Sequence, residues 1–446
     1  MRIVFLPIDN RPVCYCLAQM IADIDDGIEL VLPKRDLLGD LHKSANIDRL
    51  FEWLFSVEDA DAYVLALDTL TYGGLIPSRR GNETFEQIQT RISKLKSFLK
   101  TQSAKVYAFS SIMRISNNNV NEEEKEYWNL YGKKIFQYSF NLDKFGTAET
   151  DVPEEILNDY LSTRNRNFEA NKLYLECQKE GLFETLIFSK DDCAEYGLNV
   201  KEAGELELLG GYTKTGADEI PLTLLARAIN SNLSVNPVFI EDECKDLISN
   251  YEDISIEKSV LSQLELSGIS LKKPADVDLI VNNFKLNQGE IVMKTPTEQF
   301  SSHWVIPDNY YAIADVRNAN GADNNFVKKL FEVGLGHYFL GYSAWNTSAN
   351  TIGTLVCILK TIFHAKQNGT FNETALKKLQ MVRFLDDWAY QANVRQQLTS
   401  ADENILQEKM KPYEKELAKL LNIDFPYKCS YSFPWQRLFE VEIEFS

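Results

Sequence analysis

Short apolar runs that stop at a polar motif and are followed by a helix-like stretch recur along the whole chain, and this alternation constrains the fold more than any other feature. Runs at 3–8, 28–32, 62–67, 105–109 and 185–188 read as strands, with further ones at 211–214, 237–240, 278–281, 310–314 and 338–340. Between them, apolar residues return at close to 3.6-residue spacing, as in Ile88, Ile92, Leu95 and Leu99, or over 153–177. Strands alternating with helices imply mostly parallel sheet. Uninterrupted apolar strands such as IVFL, YVLAL and LIV are what a sheet covered on both faces requires.

The expected fold is therefore α/β, built of repeated βα units. A TIM-barrel-like closure is preferred, because motifs from many strands must meet at one rim. The alternative is two doubly wound α/β domains meeting near residue 234, with the site in the interdomain cleft. Residues 1–350 form the α/β catalytic region in this reading. Residues 351–446 form a mostly helical C-terminal region closed by a terminal strand in FPWQRLFEVEIEF. The charged, aromatic insertion NEEEKEYWNLYGKKIFQYSF reads as a helix covering a strand end.

Composition narrows the function classes. At 44% hydrophobic and 25% charged residues the chain is globular, and its net charge of −18 repels nucleic acid and anionic membrane surfaces. No basic patch offsets this, because the lysines at 377–378 and 411–419 alternate with acids. No stretch reaches the roughly 18–20 apolar residues of a membrane span, and residues 1–8 lack the length of a signal peptide. The seven cysteines never take a CxxC spacing, so reduced thiols in the cytoplasm are expected. The four histidines, His42, His303, His337 and His364, stand apart from the strand-end motifs, which argues against zinc. GxxxxGK[ST], GxGxxG and GxSxG motifs are lacking, which lowers the nucleotide, dinucleotide and serine-hydrolase readings.

Ligand sites in parallel α/β folds lie at the carboxyl ends of strands, and the polar motifs stand there. The first strand is followed by Asp9, Asn10 and Arg11, and the third by Asp68, Tyr72, Gly73-Gly74, Arg79 and Arg80. The fourth leads to Arg114 and the fifth to Asp191-Asp192. Later strands lead to Asp218-Glu219, to Asn282-Asn283, to Asp315 with Asn320 and Asp323, and to Trp345-Asn346-Thr347 with Asn350. Each has a structural alternative. Asp9 and Arg11 pair to fix a loop or contact a ligand. The arginines clamp an anion or neutralise nearby carboxylates. Asp323 caps a helix, and Asp218 and Glu219 favour a helix dipole. Gly73-Gly74 marks an unusual backbone angle or a close approach.

Asp191-Asp192 is the sharpest chemical signal. Adjacent carboxylates repel, so one is held protonated near neutral pH while the other stays ionised, which supplies an acid and a polarising base together. The alternative is a solvated loop or helix start.

The segments PIDNRPVCY, LPKRDLLGD, LALDTLTYGGLIPSRR, EYWNLYG, RNRNFEANK, KDDCAEYGL, DVRNANGADN, WNTSANTIGT, RFLDDWAYQANVRQ and PWQRLFEV together resemble an uncharacterised bacterial family, domain of unknown function four-one-two-seven. The resemblance runs nearly end to end and implies no established activity. Where the family pattern has a second acid in the opening motif this chain carries Asn10, so a role needing that acid is not carried over. Separately, the Asp-Asp pair is similar to that of substrate-assisted N-acetylhexosaminidases, in which one Asp orients the acetamido group and its neighbour protonates the leaving oxygen.

The expected function is a glycoside hydrolase with a small-molecule or oligosaccharide substrate, no cofactor, Asp192 as general acid and Asp191 as orienting carboxylate. Asp9, Arg11, Asp68, Tyr72, Arg79, Arg114, Asp218, Glu219, Asn320 and Asn346 would position the substrate. One alternative is magnesium-dependent hydrolysis or transfer on a phosphorylated substrate, with the arginines on phosphate. The other is a non-enzymatic sugar-binding protein.

Overall fold

The computed structural model describes residues 1–191, 193–299 and 304–445. Two compact units divide the chain. The first comprises Met1–Tyr15, Glu29–Leu224 and Tyr251–Asp253, and the second Cys16–Ile28, Leu225–Asn250 and Ile254–Ser446.

The first unit is built on six strands: β1 (Arg2–Leu6), β2 (Glu29–Val31), β3 (Ala62–Ala66), β4 (Lys105–Ile112), β5 (Thr185–Lys190) and β6 (Thr213–Thr215). They pair in parallel in the order β2-β1-β3-β4-β5-β6. Ile3, Val4, Phe5 and Leu6 are all fully buried, as are Val64, Leu65 and Ala66, so these strands bury side chains on both faces. The helix Phe85–Leu99 lays Ile88, Ile92, Leu95 and Leu99 onto Val4, Leu65, Val106 and their neighbours in one core cluster. It begins at a capping box in which Thr84 and Gln87 satisfy each other's backbone N–H groups. The acidic insertion after β4 becomes the helix Trp128–Phe145, whose Trp128 and Ile135 pack with Met113, Ile115 and Tyr160 in a smaller core.

The second unit holds β7 (Ser234–Phe239), β8 (Ser270–Leu271), β9 (Val277–Asn282), β10 (Gly289–Glu290), β11 (Tyr311–Asp315), β12 (Asn318–Ala319) and β13 (Phe339–Ser343). Five of these form a parallel sheet in the order β13-β11-β9-β7-β8, and β10 pairs with β12 beside it. The long helix Ser348–Asn368 follows β13, capped at its start by Thr347 and closed by Gly369 in the left-handed region. Tyr342 of β13 stacks on Phe384 with ring centroids 4.3 Å apart. Among the described residues no helix is long and apolar enough to cross a membrane.

The preferred barrel-like closure is not what the described strands form. A barrel needs each parallel strand beside its successor and the last beside the first. Here β2 and β6 are edges of one open sheet, and β8 and β13 are edges of another. The reason is the direction of growth. From β1 the chain adds β2 on one side and β3 to β6 on the other, and from β7 it adds β8 on one side and β9, β11 and β13 on the other. Each sheet therefore has an internal point where crossovers reverse, between β1 and β3 in the first and between β7 and β9 in the second.

The helix Cys16–Ala22, early in the sequence, belongs to the second unit and is fastened there by Asp25. This carboxylate is 1% exposed, accepts the Gly27 N–H at 2.9 Å and the Thr370 hydroxyl, and pairs with His364 Nδ1. Asp25→Ala leaves three partners without an acceptor in a buried setting. It is expected to destabilise the second unit by about 2–4 kcal/mol, read as a lowered urea midpoint with the slope unchanged.

Candidate functional site

The carboxyl ends of β1 and β3 flank the reversal of strand order in the first unit, the position where open parallel sheets leave a crevice for ligands. The chain covers this edge with the loop of the LPKRDLLGD motif. Arg35 Nε donates to the Asn10 carbonyl at 2.8 Å, the Asn10 N–H donates to Gly39, and the Ala45 N–H donates to Gly73. Gly73 and Gly74 have φ of 90° and 128°. A Cβ on Gly73 would stand 2.9 Å from the Ser44 Cβ, so both the backbone angle and the close approach require glycine.

Three groups of charged side chains gather along this rim. In the first, Arg11 bridges Asp9 and Asp218. Its Nε lies 2.8 Å from Asp9 Oδ2, and its Nη1 and Nη2 lie 3.1 and 2.6 Å from the two oxygens of Asp218. All three residues are buried, so the guanidinium acts as a two-ended fork that ties the end of β1 to the turn after β6. The pairing reading of Asp9 and Arg11 is the one the geometry realises.

In the second group, Arg79 donates to Glu124 at 2.9 Å. Arg114 donates to Glu124 and to Glu123, each at 3.1 Å, and its Nη1 stands 3.5 Å from Asp191. Arg79, which follows β3, and Arg114, which follows β4, thus each pair with carboxylates of the insertion. In the third, Lys190 at the end of β5 pairs with Asp253, which also accepts the Thr215 hydroxyl.

Beneath these lies Asp68, in the helix Leu67–Thr71 that follows β3. It is 1% exposed. One oxygen accepts the Ser111 N–H at 2.9 Å, while Oδ1 has no hydrogen-bond partner among the described residues. Burial pushes this carboxyl up to about 7, against the smaller opposing pull of Ser111 and of the Arg79 charge. Ser189 donates to the Ser111 hydroxyl at 3.3 Å, which carries the polar layer across β3, β4 and β5. Asp68, Arg79, Glu124, Arg114 and Asp191 therefore form a chain of electrostatic and hydrogen-bonded partners from a buried acid to a partly exposed carboxylate.

Other expected site residues do not join these three groups. Tyr72 is buried in the main core with the Arg166 guanidinium 5.5 Å above its ring. Burial and the neighbouring Asp68 raise its hydroxyl well above the usual tyrosine range. Glu219 is fully buried and turned back on its own loop, where it accepts the Ala217 N–H at 3.2 Å. Asp192 lies outside the described residues.

Asn320 and Asn346 belong to the second unit, at the ends of β12 and β13, where the Asn320 N–H donates to the Asn346 carbonyl at 2.8 Å. Both have positive φ, and Asn320 donates to Glu290 at 2.7 Å. Trp345 is likewise buried, donating to Thr354 at 3.0 Å. The same edge holds Asp315, pushed up to about 6 by burial and then by neighbouring Asp323. Asn282, Tyr342 and the Asp323 N–H all donate to it, which makes it a fastening for the loop ends. Asp323 caps the helix Asn324–Val333, as its sequence setting indicates. Among the described residues no group of three or more His, Cys, Asp or Glu side chains is placed to hold a metal ion.

Sequence reasoning passed over Glu123, Glu124, Ser111, Lys190 and Asp253. For the two glutamates a signal existed, since the EEE run is the nearest acidic cluster to the arginines it neutralises. For Asp253 none existed, because its partner is 63 residues away.

These features define a class: an α/β protein whose open parallel sheet carries a carboxylate-rich polar rim at a strand-order reversal. The chain belongs to the family described as "Protein of unknown function (DUF4127)", whose model matches residues 3–444. No curated protein and no solved structure matches it significantly.

Arg11→Ala would leave Asp9 and Asp218 buried without their counter-ion. A cost of about 3–5 kcal/mol is expected, measured as a fall in chemical-denaturation midpoint at pH 7. A change below about 1 kcal/mol, typical of an exposed pair, would show that the fork does not hold the rim together.

Proposed function

We propose that this protein is a hydrolase acting on a glycoside, with Asp68 as the proton-carrying acid at the floor of the rim and Asp191 as the ionised carboxylate above it. The observation that carries this reading is Asp68 itself. It is a carboxyl that burial pushes up to about 7, with one oxygen lacking a hydrogen-bond partner among the described residues, at the crevice position of a parallel sheet. A general acid works best when its pKa lies near the working pH, and glycoside cleavage pairs a protonated carboxyl with an ionised one. Arg114 beside Asp191 favours the ionised form of that second group.

The substrate class follows from charge. Arg11, Arg79 and Arg114 are each engaged by carboxylates, so the rim suits a neutral, hydroxyl-rich ligand better than a phosphorylated one. In this reading Asp68 takes the proton-carrying role that the sequence assigned to Asp192, which lies outside the described residues. The fold reading that accompanies this proposal is a doubly wound arrangement in each unit. With seven free cysteines, the cytoplasm is the compartment we infer.

Asp68→Asn separates a catalytic acid from a structural one. Turnover of a chromogenic glycoside should fall by about 10² to 10⁴. Stability should move the other way. Burial raises the folded pKa from 3.8 to about 7, so between those values the folded chain keeps a proton that the unfolded chain releases. The contribution of Asp68 to stability therefore falls as pH rises through this window. The variant should match the wild type below about pH 4 and be more stable at pH 8, by at most roughly 4 kcal/mol. Phosphate-ester turnover by the wild type without any glycoside turnover, or an Asp68→Asn variant keeping more than about half its activity, would overturn the reading.

A further inference from the structure

The motif RNRNFEANK and the segment GNETF take no part in the proposed hydrolytic rim, yet together they line a cavity of about 480 Å³ within the first unit. One wall is a face of the helix Glu154–Lys179. Asp159, Ser162, Arg166 and Glu169 recur on it every three or four residues, the spacing that aligns side chains along one side of a helix. The facing wall is the segment 81–83, which follows the helix Leu75–Arg80 and leads to Phe85.

Arg166 fastens one wall to the other. It is 9% exposed and spends its five N–H groups inside the protein. Nη1 donates to the Gly81 and Glu83 carbonyls at 2.8 and 3.1 Å. Nη2 donates to the Ser78 carbonyl at 2.7 Å and to Asn167 Oδ1 at 3.0 Å, and Nε donates to the same Asn167 oxygen at 3.1 Å. Asn167 Nδ2 adds a bond to the Ser78 carbonyl at 2.9 Å. The segment 78–83 is thereby fixed against the helix, and a cavity with set walls spends less free energy on ordering when a ligand enters.

The charges around the cavity are engaged with their own partners. Lys125 donates to the two oxygens of Asp159 at 2.9 and 2.7 Å and to Thr163 at 3.2 Å, and the Tyr127 hydroxyl donates to Asp159 at 2.9 Å. Glu83 pairs with Arg91 at 3.4 Å, and Glu169 pairs with Lys172. An ionic ligand would have to compete with these pairs. The groups left for a ligand are neutral: the exposed amides of Asn82 and Asn165 and the Phe85 ring, which is 36% exposed. Each amide offers two N–H donors and a carbonyl acceptor, which suits hydroxyl groups that donate and accept at once. A phenyl face suits the apolar C–H face of a sugar ring. The volume lies within the roughly 300–1,000 Å³ of small-molecule sites.

Two lining segments run directly into the rim. The helix Leu75–Arg80 carries Arg79, and Lys125 follows Glu124, the carboxylate shared by Arg79 and Arg114. We propose that this cavity is a subsite for an outlying sugar unit of a neutral oligosaccharide, its ring against Phe85 and its hydroxyls on Asn82 and Asn165. The subsite presupposes the glycosidase reading of the rim and gives that enzyme a substrate of more than one sugar unit.

Calorimetric titration of the full-length Asp68→Asn chain, in which the proposed acid is disabled, tests this with cellotetraose, maltotetraose, triacetylchitotriose, tetragalacturonate and glucose. At least one neutral oligosaccharide should bind saturably, about tenfold or more tighter than glucose and tetragalacturonate. Phe85→Ala, and the pair Asn82→Ala with Asn165→Ala, should each weaken that binding by about fivefold or more. In the otherwise wild-type chain Phe85→Ala should leave turnover of a small chromogenic glycoside unchanged, which separates lost binding from lost folding. Neutral oligosaccharides binding no better than glucose, or binding equally well in both variants, would overturn the subsite even where small-glycoside turnover stands. Oligosaccharide binding that both variants weaken, in a wild-type chain without glycoside turnover, would overturn the glycosidase reading and leave the cavity as a sugar-binding site.

Discussion

A parallel sheet buried on both faces places charged side chains mostly where its strands end, and the polar rim of this protein follows from that constraint. In β1 and β3 every interior position is apolar and buried, so the first polar groups, Asp9, Arg11 and Asp68, emerge at the carboxyl edge. Burying charge there is costly unless each group is paired or neutral. Arg11 resolves this for Asp9 and Asp218 by pairing, whereas burial pushes the Asp68 carboxyl up to about 7 and so favours its neutral form. One edge thus carries two carboxylates paired with an arginine beside a buried carboxyl that burial pushes toward its neutral form.

The same constraint acts in the second unit with a different result. Asp315 is as buried as Asp68, but three donors converge on it. Asp387 accepts the Ala344 N–H at 2.6 Å and pairs with Arg383. These acids organise loop ends and anchor the π-helix Leu385–Val394. Asp68 differs from Asp315 and Asp387 in having one oxygen without a hydrogen-bond partner among the described residues, and the functional reading is placed on it for that reason. Rigidity around it is supplied by glycine contacts at Gly73 and Gly74 and by Thr69, whose hydroxyl donates to the Pro7 carbonyl at 2.7 Å.

Much of this was legible in the sequence because it is local. Apolar runs such as RIVFL and AYVLA mark β1 and β3, and the spacing of Ile88, Ile92, Leu95 and Leu99 marks one face of a helix. The strand-end position of Asp9, Arg11 and Asp68 follows from the same pattern. Strand order was not legible, since whether β2 falls beside β1 or beyond β3 depends on which side of the sheet the crossover takes. The π-helix was hidden as well, because RFLDDWAYQANVRQ has the apolar pattern of an ordinary helix. Asp191 and Asp192 drew attention by adjacency, yet the acidity of Asp68 depends on burial, which no local pattern of residues records.

The central claim is that Asp68 remains protonated at near-neutral pH in the folded protein. Carbon-13 NMR of aspartate carboxyl groups, followed through a pH titration of wild type and Asp68→Asn, measures this directly. The account predicts a carboxyl that titrates close to pH 7 in the wild type and is missing from the variant. Loss from the Asp68→Asn spectrum of only a carboxyl titrating near the ordinary aspartate value, about 4, would contradict it.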